Sequence, residues 1–196
     1  MSSTTTVRSA RSESDQQAVV AVITLAFSTD PMARWTFPDP ATYLKVWPEI
    51  VLAFGDKGFA HGAAHLASGG AAAAMWLPPD VHPDIERLTA LVEQHAPGEQ
   101  QADLERLFAQ MESHHPSEAC WYLPLIGADP SCQGRGHGSA LLRYALEQCD
   151  RDGVAAYLES SNPRNIPLYQ RHGFEIVGTI QAGTSPTVVP MLRRPR

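Results

Sequence analysis

The chain of 196 residues is long enough to bury a core without covalent staples, and it fits one domain spanning residues 1–196. Apolar residues at 43% and charged residues at 18% exclude a disordered chain and fit a soluble folded protein. A formal net charge of -6 speaks against nucleic-acid binding, and the short tail Arg193-Arg194-Pro195-Arg196 does not reverse it.

Thr4–Ser9 predicts a short first strand. Ser12 or Ser14 offers an N-cap for a helix over Asp15–Phe27, where Val19, Val20, Ile23 and Phe27 share a face. The stretch Ser28–Pro40 is broken by Pro31, Pro38 and Pro40 and carries Trp35 and Phe37. A second helix covers Ala41–Phe54, with Pro48 predicting a kink or a break. Phe59–Ala67 and Ala71–Leu77 form a hairpin around Ser68-Gly69-Gly70. Two helices follow, Asp84–Gln94 and Gln100–Glu112, separated by Pro97-Gly98. Next come a strand over Cys120–Ala128, a loop with Pro130 and a glycine cluster, and a helix from Gly138 to Asp152. Val154–Glu159 is a strand, and Asn165–His172 is a short helix stopped by Gly173. Phe174–Ile180 and Thr187–Leu192 read as two final strands. Helices mixed with mostly sequential strands, without repeats, predict an α/β sheet of mixed direction.

Cys120, Cys132 and Cys149 are odd in number and hold no CxxC pair, so reduced thiols in a cytoplasmic protein are expected. The N-terminus Met1-Ser2-Ser3-Thr4-Thr5-Thr6 lacks the apolar core of a signal peptide. The longest apolar stretch, Gly69 to Pro78, falls short of the ~20 residues a membrane helix needs, so no membrane association is expected.

The glycine cluster Gln133-Gly134-Arg135-Gly136-His137-Gly138-Ser139-Ala140 sits between a strand and an amphipathic helix. A helix N-terminus leaves its first N–H groups unpaired and carries partial positive charge, so it attracts phosphate. Glycines at 134, 136 and 138 let the backbone approach such an anion closely. No Lys follows them, which excludes a P-loop. The spacing G-x-G-x-G, with too little chain behind it for a doubly wound sheet, excludes a dinucleotide fingerprint, although Glu159 lies about 20 residues on.

Gln133-x-x-Gly136-x-Gly138 after Ala128-Asp129-Pro130 resembles the acetyl-CoA motif of the GNAT N-acetyltransferase superfamily. Asn165-x-x-x-Tyr169-x-x-x-Gly173-Phe174 is similar to that superfamily's next element. Within it, Ala119–Leu123, Leu158–Ser161, Pro163–Pro167 and Tyr169 look like puromycin N-acetyltransferase and its relatives, as do Ala26-Phe27 and Asp30-Pro31. The acceptor-facing half is less alike, so puromycin itself is not implied.

The resemblance implies a mixed, mostly antiparallel sheet flanked by helices, with a cofactor-binding core at about 117–180. It implies acetyl-CoA as co-substrate, a small-molecule primary amine as acceptor, no metal, and a monomer or homodimer. The strand end Ile126, Gly127 and Ala128 would pair with the pantetheine arm, and Gly127 also fits a bulge or close backbone approach. The loop Gln133, Gly134, Arg135, Gly136, His137, Gly138 and Ser139 would hold the pyrophosphate, with Arg135 adding positive charge. Asn165 and Tyr169 would complete the cofactor set.

Amine attack on a thioester needs a neutral amine, a stabilised oxyanion and a proton for the leaving thiolate. Tyr169 is the expected proton donor, set against a tyrosine that only packs its helix on the sheet. A backbone N–H near Ala128 is the expected oxyanion donor. Glu159 fits a base tuned by burial, an anchor for the acceptor's ammonium, or an ion pair with Arg164; a base acting through water, or none, also stays open. Adjacent His114-His115 point apart on a helix, and His61 and His65 fall on a predicted strand, so no metal site is expected. Trp35, Phe37, Trp47 and Trp76 suit a core or an aromatic-walled pocket, and Phe27, Asp30 and Trp35 are the expected acceptor contacts. Competing readings are a protein lysine or N-terminal acetyltransferase and a non-catalytic acyl-CoA sensor.

Overall fold

A computed structural model describes residues 5–196, so Met1–Thr4, including Thr4 of the predicted first strand, lie outside the described residues. Strand β1 (Val7–Ser9) leads to helix α1 (Glu13–Phe27). A reciprocal cap starts α1 earlier than expected: the Ser12 hydroxyl accepts from the Asp15 N–H, and the Asp15 carboxylate accepts from the Ser12 N–H. The proline-broken segment holds a helix of its own, α2 (Pro31–Thr36). Pro31 occupies the first helical position, where no N–H is needed, and Asp30 Oδ1 accepts from Met32 and Ala33 N–H at 3.0 and 3.1 Å. Helix α3 (Pro40–Gly55) runs through Pro48 as one element. The carbonyl that Pro48 leaves unbonded belongs to exposed Leu44, while Val46, Trp47, Ile50 and Val51 bury the opposite face.

The expected strand over Phe59–Ala67 is shorter. Lys57–Ala60 form a single turn, α4, whose carbonyls at Gly58 and Phe59 accept from Ala63 and Gly62, and only Ala64–Ala67 form β2. Then follow β3 (Ala72–Leu77), α5 (Ile85–His95), α6 (Gln101–His114), β4 (Cys120–Ala128), α7 (His137–Asp152), β5 (Ala155–Ser160) and α8 (Ile166–Arg171). The expected strand over Phe174–Ile180 contracts to β6 (Glu175–Ile176) plus an isolated bridge from Ile180 to Val188. Its partner β7 (Val189–Arg193) carries Pro190, whose missing N–H interrupts the ladder beyond Ile176.

The strands form one seven-stranded sheet in the order β1-β2-β3-β4-β5-β7-β6. Every neighbouring pair is antiparallel except β4–β5. Side chains alternate across it: Ala73 and Met75 of β3 join the core beneath α1 and α3, while Ala72, Ala74 and Trp76 join the core beneath α7.

The parallel pair is brief. Cys120, Trp121 and Tyr122 face Ala155, Ala156 and Tyr157, after which β4 stays with β3 and β5 with β7. The Asp129 N–H donates to the Ala71 carbonyl at 3.0 Å, so in the alternating ladder Leu125 and Gly127 also turn their amides to β3. Ile126 and Ala128 therefore face the opening, as does Pro124, which has no N–H to offer.

Candidate active site

Beyond β4, Asp129 Oδ1 accepts from the Ser131 N–H at 2.7 Å and turns the chain through Pro130–Cys132 toward the glycines. Gly136 caps α7 in the left-handed region, at φ 83, with no side-chain cap. That conformation suits glycine alone, and the first amides of α7 at His137, Gly138 and Ser139 point forward without an intrahelical acceptor. These residues border a groove of about 630 Å³, together with Gln133, Gly134 and Gly136. Its other wall contains Ile126, Gly127 and Ala128, and Asn165 and Tyr169 close it from the α8 side.

Of the two readings of Gly127, the close approach is the one found: a Cβ there would sit 2.4 Å from the Ala26 Cβ, so this glycine admits α1 against β4. Other details depart from the sequence-based expectation. Arg135 turns back on its own loop, its guanidinium donating to the Ser131 carbonyl at 3.0 Å, and is absent from the groove wall. Arg164 and Arg171 line the groove instead. Nothing in the spacing of Arg171 marks it, because its place depends on how α8 lies across the mouth of α7. The Ser139 hydroxyl and His172 Nε2 stand 2.6 Å apart and tie the first turn of α7 to the end of α8. Burial, then Arg143 and Arg171, hold His172 below its ordinary pKa and favour the uncharged ring.

Tyr169 is buried and meets Phe174 edge-on at 6.1 Å. Burial raises its pKa, with the Asp30 carboxylate adding to the effect, so its hydroxyl stays protonated at neutral pH. Asp30 is itself buried, and both its oxygens are engaged: Oδ1 by the α2 amides, Oδ2 by the Ser161 hydroxyl at 2.7 Å. Burial raises its pKa against those hydrogen bonds.

Glu159 sits on β5 beyond the last β4–β5 pair, half-buried. It forms no ion pair among the described residues, so the pairing with Arg164 is not the arrangement found. Burial pushes its pKa up to about 7, opposed by the neighbouring Tyr122 and Tyr157 hydroxyls. The Tyr157 hydroxyl is buried without a hydrogen-bond partner, and His115 meets the Tyr122 and Tyr157 rings edge-on at 5.4 and 5.0 Å. Sequence reasoning missed these three. Tyr157 and Glu159 stand two apart on one strand and so share a face, and the β4–β5 register brings Tyr122 beside Tyr157.

Glu159 borders two further spaces. An inner chamber of about 100 Å³ includes Phe27, Asp30, Pro124, Leu125 and Ser161 in its wall, and Phe27 and Asp30 also line the groove. An outer chamber of about 580 Å³ lies between α5 and α6 and shares Phe54, Leu88, Phe108, Met111, Tyr122 and Glu159 with the inner one. Trp35 borders none of the three spaces; its indole N–H donates to the Thr184 hydroxyl at 3.3 Å. Trp47, for which core and pocket wall were both open, is buried, stacks on Phe27 at 5.5 Å and lines the inner chamber, while Trp76 is core. The three thiols are free, and no three His, Cys, Asp or Glu side chains gather into a metal cluster among the described residues.

The model of the acetyltransferase (GNAT) family matches residues 89–174. An uncharacterized N-acetyltransferase of Schizosaccharomyces pombe is 35% identical over 78 residues, 38% of this chain and 32% of that protein. Mycothiol acetyltransferase of Mycolicibacterium gilvum is 37% identical over 75 residues, 33% of this chain and 25% of its own. The matches thus span a third or less of these curated relatives. A crystal structure from Corynebacterium glutamicum, described as histone acetyltransferase HPA2 and related acetyltransferase, superimposes with a TM-score of 0.69 at 28% identity, covering 100% of this chain and 98% of that one. The matched segment runs from α5 to Phe174 and contains both halves of the motif, and the likeness of fold extends over the whole chain.

Proposed function

We propose that this chain is a GNAT-family acetyltransferase that moves the acetyl group of acetyl-CoA to a primary amine of a small molecule. The observation that carries the reading is the parting of β4 from β5, which brings a phosphate-type cradle and an unpaired, half-buried carboxylate to one junction. The groove suits coenzyme A on three counts. Its α7 amides are uncapped, two of its glycines, Gly134 and Gly136, take left-handed angles with nothing within 4 Å of an added Cβ, and one strand edge offers free amides. When bound, acetyl-CoA supplies the activated acetyl thioester.

The α7 amides at His137, Gly138 and Ser139, with Gln133, Gly134 and Gly136, hold phosphate, and Arg164 and Arg171 add the positive charge. Ile126 and Ala128 offer backbone groups to an amide-bearing arm, and Asn165 supports it from α8. Glu159 receives the proton of the incoming ammonium; with a pKa of about 7 it is both ionised in part and basic enough to do so at neutral pH. Tyr169, held protonated, gives a proton to the departing sulfur and recovers one from the new amide nitrogen, which sheds its second proton as the intermediate collapses. Asp30 fixes the wall between the groove and the inner chamber, and Phe27 shapes it. The likeness to puromycin N-acetyltransferase-like members belongs to this proposal, through Ala119–Leu123, Leu158–Ser161 and Tyr169.

Calorimetry with acetyl-CoA and a thiol-release assay over an amine panel test the reading together. Binding followed by amine-dependent thiol release is the expected result. Absence of binding sinks the proposal, and binding without release to any amine favours an acyl-CoA sensor.

A further inference from the structure

The three spaces form a sequence through the protein: groove, inner chamber, outer chamber. Phe27 and Asp30 are shared by the first two, and Glu159, Tyr122 and Met111 by the last two. The inner chamber, at about 100 Å³, has room for reacting groups and little else, whereas the outer one, at about 580 Å³, has the size of a small-molecule site. An acceptor whose nitrogen reaches Glu159 must therefore keep its body in the outer chamber.

The chemistry of that body follows from the walls. Phe54, Leu88, Phe108 and Met111 supply an apolar lining, continued to the rim by Ile85, which is 60% exposed. Among the described residues no Lys or Arg borders either chamber, so a carboxylate or phosphate on the acceptor would meet no ammonium or guanidinium. Of the two imidazoles in the outer wall, burial lowers the His115 pKa and favours its uncharged form, and His82 stands exposed at the rim. Both Asp30 oxygens are occupied. The remaining acid, Glu112, stands at the exposed rim, where water screens it. One free carboxylate at the inner end and a mainly apolar wall outward, with His82, Thr89 and Glu112 exposed at its rim, match a single ammonium on an apolar tail.

Resting on the acetylation reading above, we infer that the acceptor is a monoamine with an aromatic or alkyl body, which enters between α5 and α6 from the side opposite the acetyl-CoA groove. Polyamines, amino sugars and amino acids are disfavoured, because each would bring a second charge or several hydroxyl groups against a wall that is mainly apolar below its rim.

The test compares 2-phenylethylamine and hexylamine with spermidine, agmatine, glucosamine and lysine in the thiol-release assay. The apolar amines should exceed the others in kcat/KM by about tenfold or more, the return on burying roughly two methylene groups. Ala109 and Thr89 are exposed residues on the two helices that frame the mouth, so Ala109→Trp and Thr89→Trp narrow it with little risk to folding. Either should raise KM for 2-phenylethylamine severalfold and leave the affinity for acetyl-CoA unchanged. Turnover led by spermidine, agmatine, glucosamine or lysine overturns the apolar class while sparing the transfer reaction. Unchanged KM in both tryptophan variants overturns the route. No turnover with any amine, acetyl-CoA binding intact, overturns the transfer reading and this inference with it.

Discussion

The groove and the chambers meet at one wall yet are made of different material. One side of the groove is backbone: amides of α7, two left-handed glycines, and the open edge of β4, contributed by the segment from Ile126 to Ser139, while side chains from the end of α1 and from Asn162–Arg171 close it. The chambers are side chains brought together from α2, α3, α5, α6, β4 and β5. Backbone donors keep their positions whatever the neighbouring side chains become, which suits a ligand that never varies. A lining of Phe, Leu and Met can be recut by single substitutions, which suits a partner that differs from one relative to the next. The proposed reaction needs both, and it predicts that damage on one side leaves binding on the other side intact.

Glu159→Gln should do the greatest damage to turnover, lowering kcat/KM by about a hundredfold to ten-thousandfold, the range for loss of a general base. Acetyl-CoA affinity measured by calorimetry should stay within about twofold, since losing a base removes no donor contact. The wild-type rate should climb as pH rises through about 7, because the carboxylate must be ionised to take a proton, and this limb should vanish in the variant. Persistence of the limb would remove Glu159 as the base. The same residue has an opposite bearing on stability. Its pKa stands at about 7 in the fold against an ordinary 4.5, so the folded state holds the proton more tightly. Wild-type stability should then fall as pH rises from 4.5 to about 7, by at most about 3 kcal/mol, and urea titrations of Glu159→Gln should show that slope flattened.

Tyr169→Phe should lower kcat by about a hundredfold with donor affinity little changed, as expected for loss of a general acid. Full turnover by this variant would assign the hydroxyl to packing. Gly136→Ala reverses the pattern. Holding a Cβ in the left-handed region costs about 1–2 kcal/mol, so an empty loop that relaxes out of that conformation must be restored on binding, and acetyl-CoA should bind up to roughly five to thirty times more weakly while KM for the amine holds. The smallest contrast is between two arginines. Arg171→Ala should weaken acetyl-CoA severalfold and flatten its salt dependence, whereas Arg135→Ala, whose guanidinium serves its own loop, should change affinity by less than about twofold.

The same contrast explains what could be read before folding. The glycine run was legible because strand, loop and helix follow one another in sequence; Asn165 and Tyr169 came from the likeness of their spacing to a known motif, and Glu159 was singled out by its place at a strand end with its role left open. Tyr122 was not, because its meeting with Tyr157 and Glu159 depends on the parallel register of β4 and β5. Arg135 looked like the cradle's charge from proximity in sequence, and the direction of its side chain decided otherwise. Trp35 looked like a pocket wall from its place between two helices. The short helix α2, concealed by a proline that starts rather than breaks it, turns that indole toward Thr184. Pro48 was a reliable sign of a lost hydrogen bond but not of a lost helix, since the buried face of α3 outweighs one bond. The outer chamber had no local signal at all.

The wedge between β4 and β5 has a further consequence, for how the protein behaves when it holds no ligand. Free strand amides are ordinarily a template on which another molecule's strand can zip, and long exposed edges invite aggregation. Here the edge lies inside the sheet. Its base is closed by the pairs from Cys120 to Tyr122, Pro124 withholds a donor at the first open position, and α1 and α7 cover the two faces. A neighbour's strand has no flat side from which to dock, while a slender molecule can slip in from the loop end. The protein can therefore keep an unsatisfied edge ready for its ligand without offering it to another copy of itself.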